Sequence, residues 1–152
     1  LEPWWHVYDD ADRDRARSLL GQLGVGHLAD KPIGQVSSGE RQRILLSRTL
    51  MTDPGLLLLD EPTAALDLGG REDLVAGLDE LASRPETPAT VLVTHHVEEI
   101  PPSFGHVLLM REGTVLAAGP LPETLTEENL TACFGLPVAL EHRDGRWAAR
   151  GR

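Results

Sequence analysis

Two carboxylates follow directly on a run of four leucines. Leu56–Leu59 lies between Gly55 and Asp60, and a short apolar run between turn signals predicts a strand buried on both faces of a parallel sheet. Ligands of such sheets bind beyond the carboxyl ends of the strands, so this strand would deliver Asp60 and Glu61 into a binding crevice. The first acid suits magnesium, which prefers oxygen ligands, and the second could polarise an attacking water. The alternative is that both acids only begin a solvated turn.

A serine and a glutamate three residues apart predict the start of a helix. Ser37 and Glu40 form a capping-box pattern, in which each side chain bonds the backbone N–H of the other residue. A helix N-terminus also attracts anions, and Gly39 would let a phosphate come close to the backbone. The segment therefore predicts a helix cap and, in addition, a candidate phosphate contact.

Two adjacent histidines follow a second apolar run. Val91–Val93 is predicted as a buried strand, and His95 would then lie at its end, in the same crevice as the two carboxylates. The alternative is that His95 is a hydrogen-bonded structural residue. Metal binding by His95 and His96 together is not expected, because adjacent residues of a strand point to opposite faces.

The order of the elements predicts an α/β fold with parallel strands. Helices are expected over residues 9–23, 38–51 and 70–83, and the two strands follow the second and the third helix. Such alternation implies parallel strands that are connected by crossover helices. In the second helix we expect an apolar set of residues to face inward and an arginine set to lie at the surface. The inward set is Ile44, Leu45, Leu46 and Leu50, and the surface set is Arg41, Arg43 and Arg48.

The pattern changes after residue 100. Val107–Met110 and Thr114–Ala118 flank a short turn and are predicted to form an antiparallel hairpin. A helix is expected over Leu121–Phe134, and a second, weaker hairpin over Val138–Trp147.

Four short segments together resemble the ATP-binding-cassette (ABC) family of ATPases. Val36–Arg43 resembles the signature motif of that family with the start of the helix after it, and Leu56–Glu61 resembles its Walker B strand. Ala64–Asp67 resembles the D-loop, and Thr94-His95 resembles the segment of the switch histidine. The order and spacing of the four segments agree with the family over residues 9–118.

The resemblance implies a role for three residues in ATP hydrolysis. Asp60 would organise Mg²⁺, Glu61 would orient or activate the attacking water, and His95 would contact the γ-phosphate of ATP. The reaction would be in-line attack of water on the γ-phosphorus, in which positioning and charge neutralisation provide most of the catalysis.

The resemblance assigns a second set of residues to a different ATP molecule. Ser37 and Gly39 would bind the γ-phosphate of an ATP that the other subunit of a head-to-tail dimer holds. Ser38 and Glu40 belong to the same nucleotide-binding motif, at positions where the family often has Gly and Gln. Asp67 would lie at the nucleotide interface and help to carry signals across it.

One motif of the family is absent from this sequence. No Gly-x-x-x-x-Gly-Lys-Ser/Thr occurs, and the single lysine, Lys31, precedes Pro32 without a glycine-rich loop around it. The backbone amides and the lysine of such a loop normally hold the β- and γ-phosphates. The chain alone is therefore expected not to hydrolyse ATP, and because it begins with Leu1 rather than Met, we expect a fragment or a processed product.

The expected fold is α/β, a P-loop NTPase-like ABC cassette that is incomplete. It would contain part of the helical subdomain and the C-terminal half of the parallel sheet, with a β-hairpin and a short tail. We expect residues 1–50 to form the helical and signature portion, residues 51–119 the catalytic core portion, and residues 120–152 the tail. The loss of flanking strands would expose apolar surface and sheet edges, which favours aggregation.

Composition narrows the possible partners. The net charge of −10, from 14 basic and 24 acidic residues, argues against direct binding of nucleic acid, which normally needs a basic face. No apolar run reaches the roughly 18 residues of a membrane span. The single cysteine, Cys133, excludes an intrachain disulfide.

The leading hypothesis is an ATP-binding and ATP-hydrolysing subunit of an ABC transporter. Its cofactors would be ATP and Mg²⁺, and its partners would be a second cassette and membrane-spanning permease subunits. It would be cytoplasmic and peripheral, on the inner face of the cell membrane. The alternatives are an ABC ATPase of the DNA-repair, chromosome-segregation or translation type, and an inactive truncated remnant.

Overall fold

A computed structural model describes residues 8–85 and 87–152 of the chain. The contacts within it divide the chain into two compact units, Leu1–Val93 and Thr94–Arg152. The subdivision at residues 50 and 119 that the sequence suggested stays a prediction. The first seven residues of its helical portion lie outside the described part of the chain.

Three helices and two strands form the described part of the first unit. The helices are α1 (Asp10–Gln22), α2 (Ser38–Leu50) and α3 (Leu68–Ala82), the strands are β1 (Leu56–Asp60) and β2 (Ala89–Val93), and the 3₁₀ turns Gly26–Leu28 and Ile33–Gln35 precede α2. The N-cap residues Asp9, Ser37 and Asp67 each accept a backbone N–H from the residue three positions later. These caps satisfy donors that the first helical turn leaves open, which is why the helices begin within two residues of the predicted positions.

The two strands of the first unit pair in parallel, as predicted, with Leu56 opposite Ala89 and Asp60 opposite Val93. The prediction that β1 is buried on both faces is wrong. Leu57 is 2% exposed, whereas Leu56 and Leu58 are 52% and 67% exposed. Successive side chains of a strand alternate between faces, and nothing in the described residues covers the second face. The expectation of exposed apolar sheet surface is thus confirmed.

The buried face of α2 differs from the predicted one. Arg43, Leu46, Ser47 and Leu50 are buried, and this spacing of three and four residues defines one helical stripe. Leu45 lies beside the stripe and is 40% exposed, so its inward placement was wrong. The surface placement of Arg43 was also wrong, because the stripe carries it inward. The core around α2 consists of Leu23, Val25, Leu28, Leu46, Leu50, Leu57, Leu74, Leu78 and Leu81.

Two hairpins and two short helices form the second unit. The strands are β3 (His106–Arg111), β4 (Thr114–Pro120), β5 (Val138–Arg143) and β6 (Arg146–Gly151), the helices are α4 (Leu121–Thr124) and α5 (Glu127–Phe134), and Val97–Glu99 is a 3₁₀ turn. Both predicted hairpins are present and antiparallel. The single helix expected over residues 121–134 is divided, because Thr126 caps a new helix by accepting the N–H of Asn129 at 3.1 Å. The core consists of Val97, Ile100, Leu109, Leu121, Leu125, Leu130 and Val138.

Among the described residues, no helix combines the length and the apolar character that crossing a bilayer requires.

Acidification is expected to destabilise the second unit through Glu127. Its Oε1 accepts the N–H of Leu140 at 3.0 Å, and Arg152 Nη2 lies 2.8 Å from both carboxylate oxygens. The hydrogen bond from Leu140, assisted by the Arg152 charge, lowers the pKa of Glu127 below its usual 4.5. A lowered folded-state pKa gives stability that is present above the unfolded pKa and is lost as pH falls through the folded pKa.

We therefore expect Glu127→Gln to reduce the urea midpoint of the second unit at neutral pH. The midpoint of this variant should also decrease less than that of the wild type when the pH is lowered. Glu128→Gln removes a carboxylate from the same helical turn and serves as the control. Equal slopes of stability against pH in the two variants would contradict the assignment to Glu127.

Candidate functional site

Asp60 and Glu61 lie at the carboxyl edge of the parallel pair of strands. Asp60 is the last residue of β1 and lies opposite Val93, and the N–H of Glu61 donates to the carbonyl oxygen of Val93 at 2.9 Å. Both side chains are exposed. Glu61 has a φ of +43°, a left-handed conformation that is costly for a residue with a side chain and that is concentrated at functional sites. The structure thus brings the two acids together at a strained turn beyond the strand.

The signature segment begins α2 with a closed capping box, as predicted. Ser37 Oγ accepts the N–H of Glu40 at 3.2 Å, and Glu40 Oε2 accepts the N–H of Ser37 at 2.7 Å. Ser38 is the first residue of the helix and is exposed. The hydrogen bonds from Ser37 lower the pKa of Glu40, so that this carboxylate stays charged. A resident negative charge therefore lies at the N-terminus of α2, where the helix dipole favours it.

A contact between two glycines connects the signature segment to the D-loop. A Cβ on Gly39 would lie only 3.1 Å from the Cα of Gly70, and Gly39 is buried. The N–H of Gly70 donates to Asp67 Oδ1 at 2.8 Å, which caps α3. The starts of α2 and α3 are therefore in direct backbone contact, which only glycine permits without displacement. The structure thus brings Gly39 of the signature segment against Gly70, whose N–H Asp67 accepts. The sequence reasoning missed this contact, although Gly70 at a predicted helix start was the available signal.

An ion pair supports the same helix contact further along. Arg43 Nη1 lies 2.8 Å from Asp73 Oδ2, where Arg43 is buried on α2 and Asp73 is largely exposed on α3. This pair was also missed, because the arginine was assigned to the surface. It holds the two helices together one turn after the glycine contact.

His95 belongs to the second unit, in a loop held by its own polar groups. Thr94 Oγ1 accepts the N–H of His96 at 3.0 Å and donates to the carboxylate of Glu99, which is 4% exposed. The side chains of His95 and His96 are exposed, and their ring centroids lie 4.1 Å apart at a tilt of 42°. Thr94 and Glu99 fix the loop on both sides of His95, and of these two residues Glu99 was not singled out from the sequence. The placement of His95 beside the two carboxylates stays a prediction.

The chain resembles ABC transporter ATPases in each of the comparisons with known proteins. The family model described as ABC transporter matches residues 1–64. The chain is 42% identical over 126 residues to the uncharacterized ABC transporter ATP-binding protein YlmA of Bacillus subtilis, covering 83% of this chain and 48% of that protein. It is 38% identical over 131 residues to the molybdenum import ATP-binding protein ModC of Methylococcus capsulatus, covering 82% of this chain and 36% of that protein.

Solved structures agree with the sequence relatives. An ABC transporter in an inward-facing conformation matches 97% of this chain and 59% of its own, with a TM-score of 0.78 and 29% identity. The cbiO1 protein of Clostridium perfringens, part of the ABC transporter complex cbiONQ, matches 85% of this chain and 51% of its own, with a TM-score of 0.70 and 29% identity. The chain spans about half the length of curated relatives such as YlmA. The chain therefore belongs to the ABC transporter ATP-binding family, of whose cassette it carries a part.

Proposed function

We propose that the chain acts as part of an ATP-binding and ATP-hydrolysing subunit of an ABC transporter. The observation that carries the proposal is the constellation at the start of α2 and α3, where the Gly39–Gly70 contact joins the signature residues to Asp67. Asp60 and Glu61 at the end of β1 add the acidic groups that phosphoryl transfer to water requires. The names of the relatives support the coupling of this chemistry to transport.

Asp60 fits the way in which proteins hold Mg²⁺ beside a nucleotide. It is an exposed carboxylate at a strand end, and Mg²⁺ usually takes one or two protein carboxylates together with phosphate oxygens and water. The described residues contain no cluster of three or more His, Cys, Asp or Glu side chains that could hold a metal by themselves. When bound, the ion would neutralise charge on the β- and γ-phosphates of ATP.

Glu61 and His95 would act on the reacting atoms. Glu61 would accept a hydrogen bond from the attacking water and align it with the γ-phosphorus. The left-handed backbone conformation of Glu61 sets the direction in which its side chain leaves the turn. His95 would donate a hydrogen bond to a γ-phosphate oxygen. Positioning of these groups would supply most of the rate acceleration.

The signature segment would contribute to a second ATP site, in a head-to-tail dimer. Ser37 Oγ accepts one hydrogen bond in the capping box, and its O–H can still donate to a phosphate oxygen of the partner's ATP. Membrane-spanning permease subunits would be the other partners, which would place the protein at the inner face of the membrane. Direct contact with nucleic acid is not part of the proposal, given the net charge of −10.

The chain by itself is expected to bind Mg-ATP weakly and to release no phosphate from it. Its sequence holds no Gly-x-x-x-x-Gly-Lys-Ser/Thr motif, so the backbone cradle for the β- and γ-phosphates is absent from it. Isothermal titration with Mg-ATP and a phosphate-release assay measure both properties. Turnover that Glu61→Gln abolishes would contradict the expectation and would show that other groups of this chain hold the phosphates.

Glu40→Gln is expected to strengthen ATP-dependent association with a complete ABC cassette several-fold. Glutamine also closes a capping box, so the helix start is kept while the negative charge beside the γ-phosphate is removed. Association is measured by sedimentation with a hydrolysis-deficient cassette, with and without Mg-ATP. Asp30→Asn removes an exposed acid outside the motif and is the control. An unchanged association in Glu40→Gln together with an unchanged association in Ser37→Ala would refute the role of the signature segment.

A further inference from the structure

The loop that carries His95 is bonded to the C-terminal hairpin at two points. Arg146 Nη2 donates to the backbone carbonyl of Glu98 at 2.7 Å, and the N–H of Ala149 donates to Glu98 Oε1 at 3.1 Å. Both donors belong to β6. Because β6 pairs only with β5 in the described residues, its other edge has no strand partner, and the Glu98 carboxylate accepts one of the backbone N–H groups of β6.

The same loop is held from the inside by apolar packing. Val97 is 7% exposed and belongs to the core of the second unit, against which Trp147 and Ala149 of β6 pack. Glu98 lies between this anchor and the buried Glu99, in one 3₁₀ turn. The bonds of the loop to β6 therefore start three residues after His95, in a turn that has little conformational freedom.

We infer that the β5–β6 hairpin is a positioning element for His95, and that Glu98 and Arg146 are its positioning residues. The inference rests on the proposed function in one respect, namely that His95 contacts the γ-phosphate of ATP. The exposed histidine must adopt one orientation to reach a phosphate oxygen, and a loop that is already held loses less conformational entropy in doing so. A hairpin at the far end of the sequence thereby sets the orientation of a residue of the switch segment.

Nuclear magnetic resonance of the full chain without nucleotide tests the inference. Glu98→Ala and Arg146→Ala each remove one bond to the loop. Loss of one hydrogen bond changes the equilibrium constant for local opening by roughly a factor of three to ten. We therefore expect the amide exchange rates of Glu99 and Ile100 to rise by about that factor. The ring signals of His95 and His96 should move, because their 4.1 Å ring contact loosens.

Three controls separate positioning from general stability. The ring of His142 stacks on Trp147 within the hairpin, with centroids 4.1 Å apart, so its unchanged signal shows that β5 and β6 stay paired. Arg143→Ala removes the arginine opposite Arg146 in the hairpin, and it should leave the loop signals unchanged. Glu98→Gln keeps an acceptor oxygen for Ala149 and should restore the wild-type signals.

Unchanged His95 and His96 signals in Glu98→Ala and Arg146→Ala would overturn the inference, and so would loss of the His142 signal in both variants. The second result would mean that the contacts only hold the fold of the unit. Since no nucleotide is present, neither result depends on the ATP-binding tests of the proposed function.

Discussion

Gly39→Ala is expected to destabilise the first unit by about 1–3 kcal/mol, the usual cost of forcing an extra carbon into a packed contact. The added Cβ would lie 3.1 Å from the Cα of Gly70, and backbone cannot turn away as a flexible side chain can. The starts of α2 and α3 would therefore have to separate. Urea denaturation followed by far-ultraviolet circular dichroism measures the loss as a lower midpoint.

Gly69→Ala is a matched control, because Gly69 and Gly39 occupy the same second position of their helices. A Cβ on Gly69 would meet only Asp67 Oδ1, at 3.9 Å, which is an ordinary contact. Alanine also lowers the entropy of the unfolded chain, so this variant should be neutral or slightly more stable. If both variants lost the same stability, the helix position rather than the glycine contact would be the cause.

The elements that the sequence predicted well are those whose causes are local. Ser37 and Glu40 bond only to each other, three residues apart, and Asp67 caps α3 in the same way. The turns between β3 and β4 and between β5 and β6 contain glycines with positive φ, at Gly113 and Gly145. Such signals act over a few residues, and the starts of α1, α2 and α3 lie within two residues of the predicted positions because of them.

The predictions that failed for β1 and α2 needed knowledge of packing between distant residues. Leu58 resembles a buried strand residue by type, but its exposure depends on what covers that face of the sheet. Leu45 and Arg43 were assigned by hydrophobicity alone, whereas the stripe of α2 that faces α3 decides which side chain is buried. That prediction followed residue type, whereas the spacing of three and four residues along the helix identifies the buried face correctly.

The candidate site shows the same division. Asp60 and Glu61 could be placed at a strand end because they follow directly on the apolar run that predicts the strand. The parallel register confirms the edge on which they lie. The contact of Gly39 with Gly70 joins residues 31 positions apart, and no pattern within either segment requires it. Predicting this part of the site needs the helix pair, which only the folded unit supplies.

Arg43→Ala is expected to cost the first unit about 1–3 kcal/mol, of the order of a lost hydrogen bond to a charged group plus the lost packing of the side chain. Arg43 is 9% exposed, and its guanidinium bonds Asp73 at 2.8 Å. Arg41→Ala, on the exposed side of the same helix, should change the stability by no more than about 0.5 kcal/mol. Urea denaturation midpoints of the two variants give the comparison.

The charge and the packing of Arg43 can be separated by Arg43→Met, which keeps an apolar side chain of similar length. Replacement of a buried ion pair by apolar groups is often neutral, whereas removal of one partner leaves the other charge buried without compensation. Asp73→Ala should therefore destabilise the wild type, because it leaves the Arg43 guanidinium without its carboxylate, and should have little effect when Arg43→Met is already present. Equal losses in the two backgrounds would show that Asp73 stabilises α3 independently of Arg43. Unequal losses would establish that the ion pair between Arg43 and Asp73 stabilises the packing of α2 against α3.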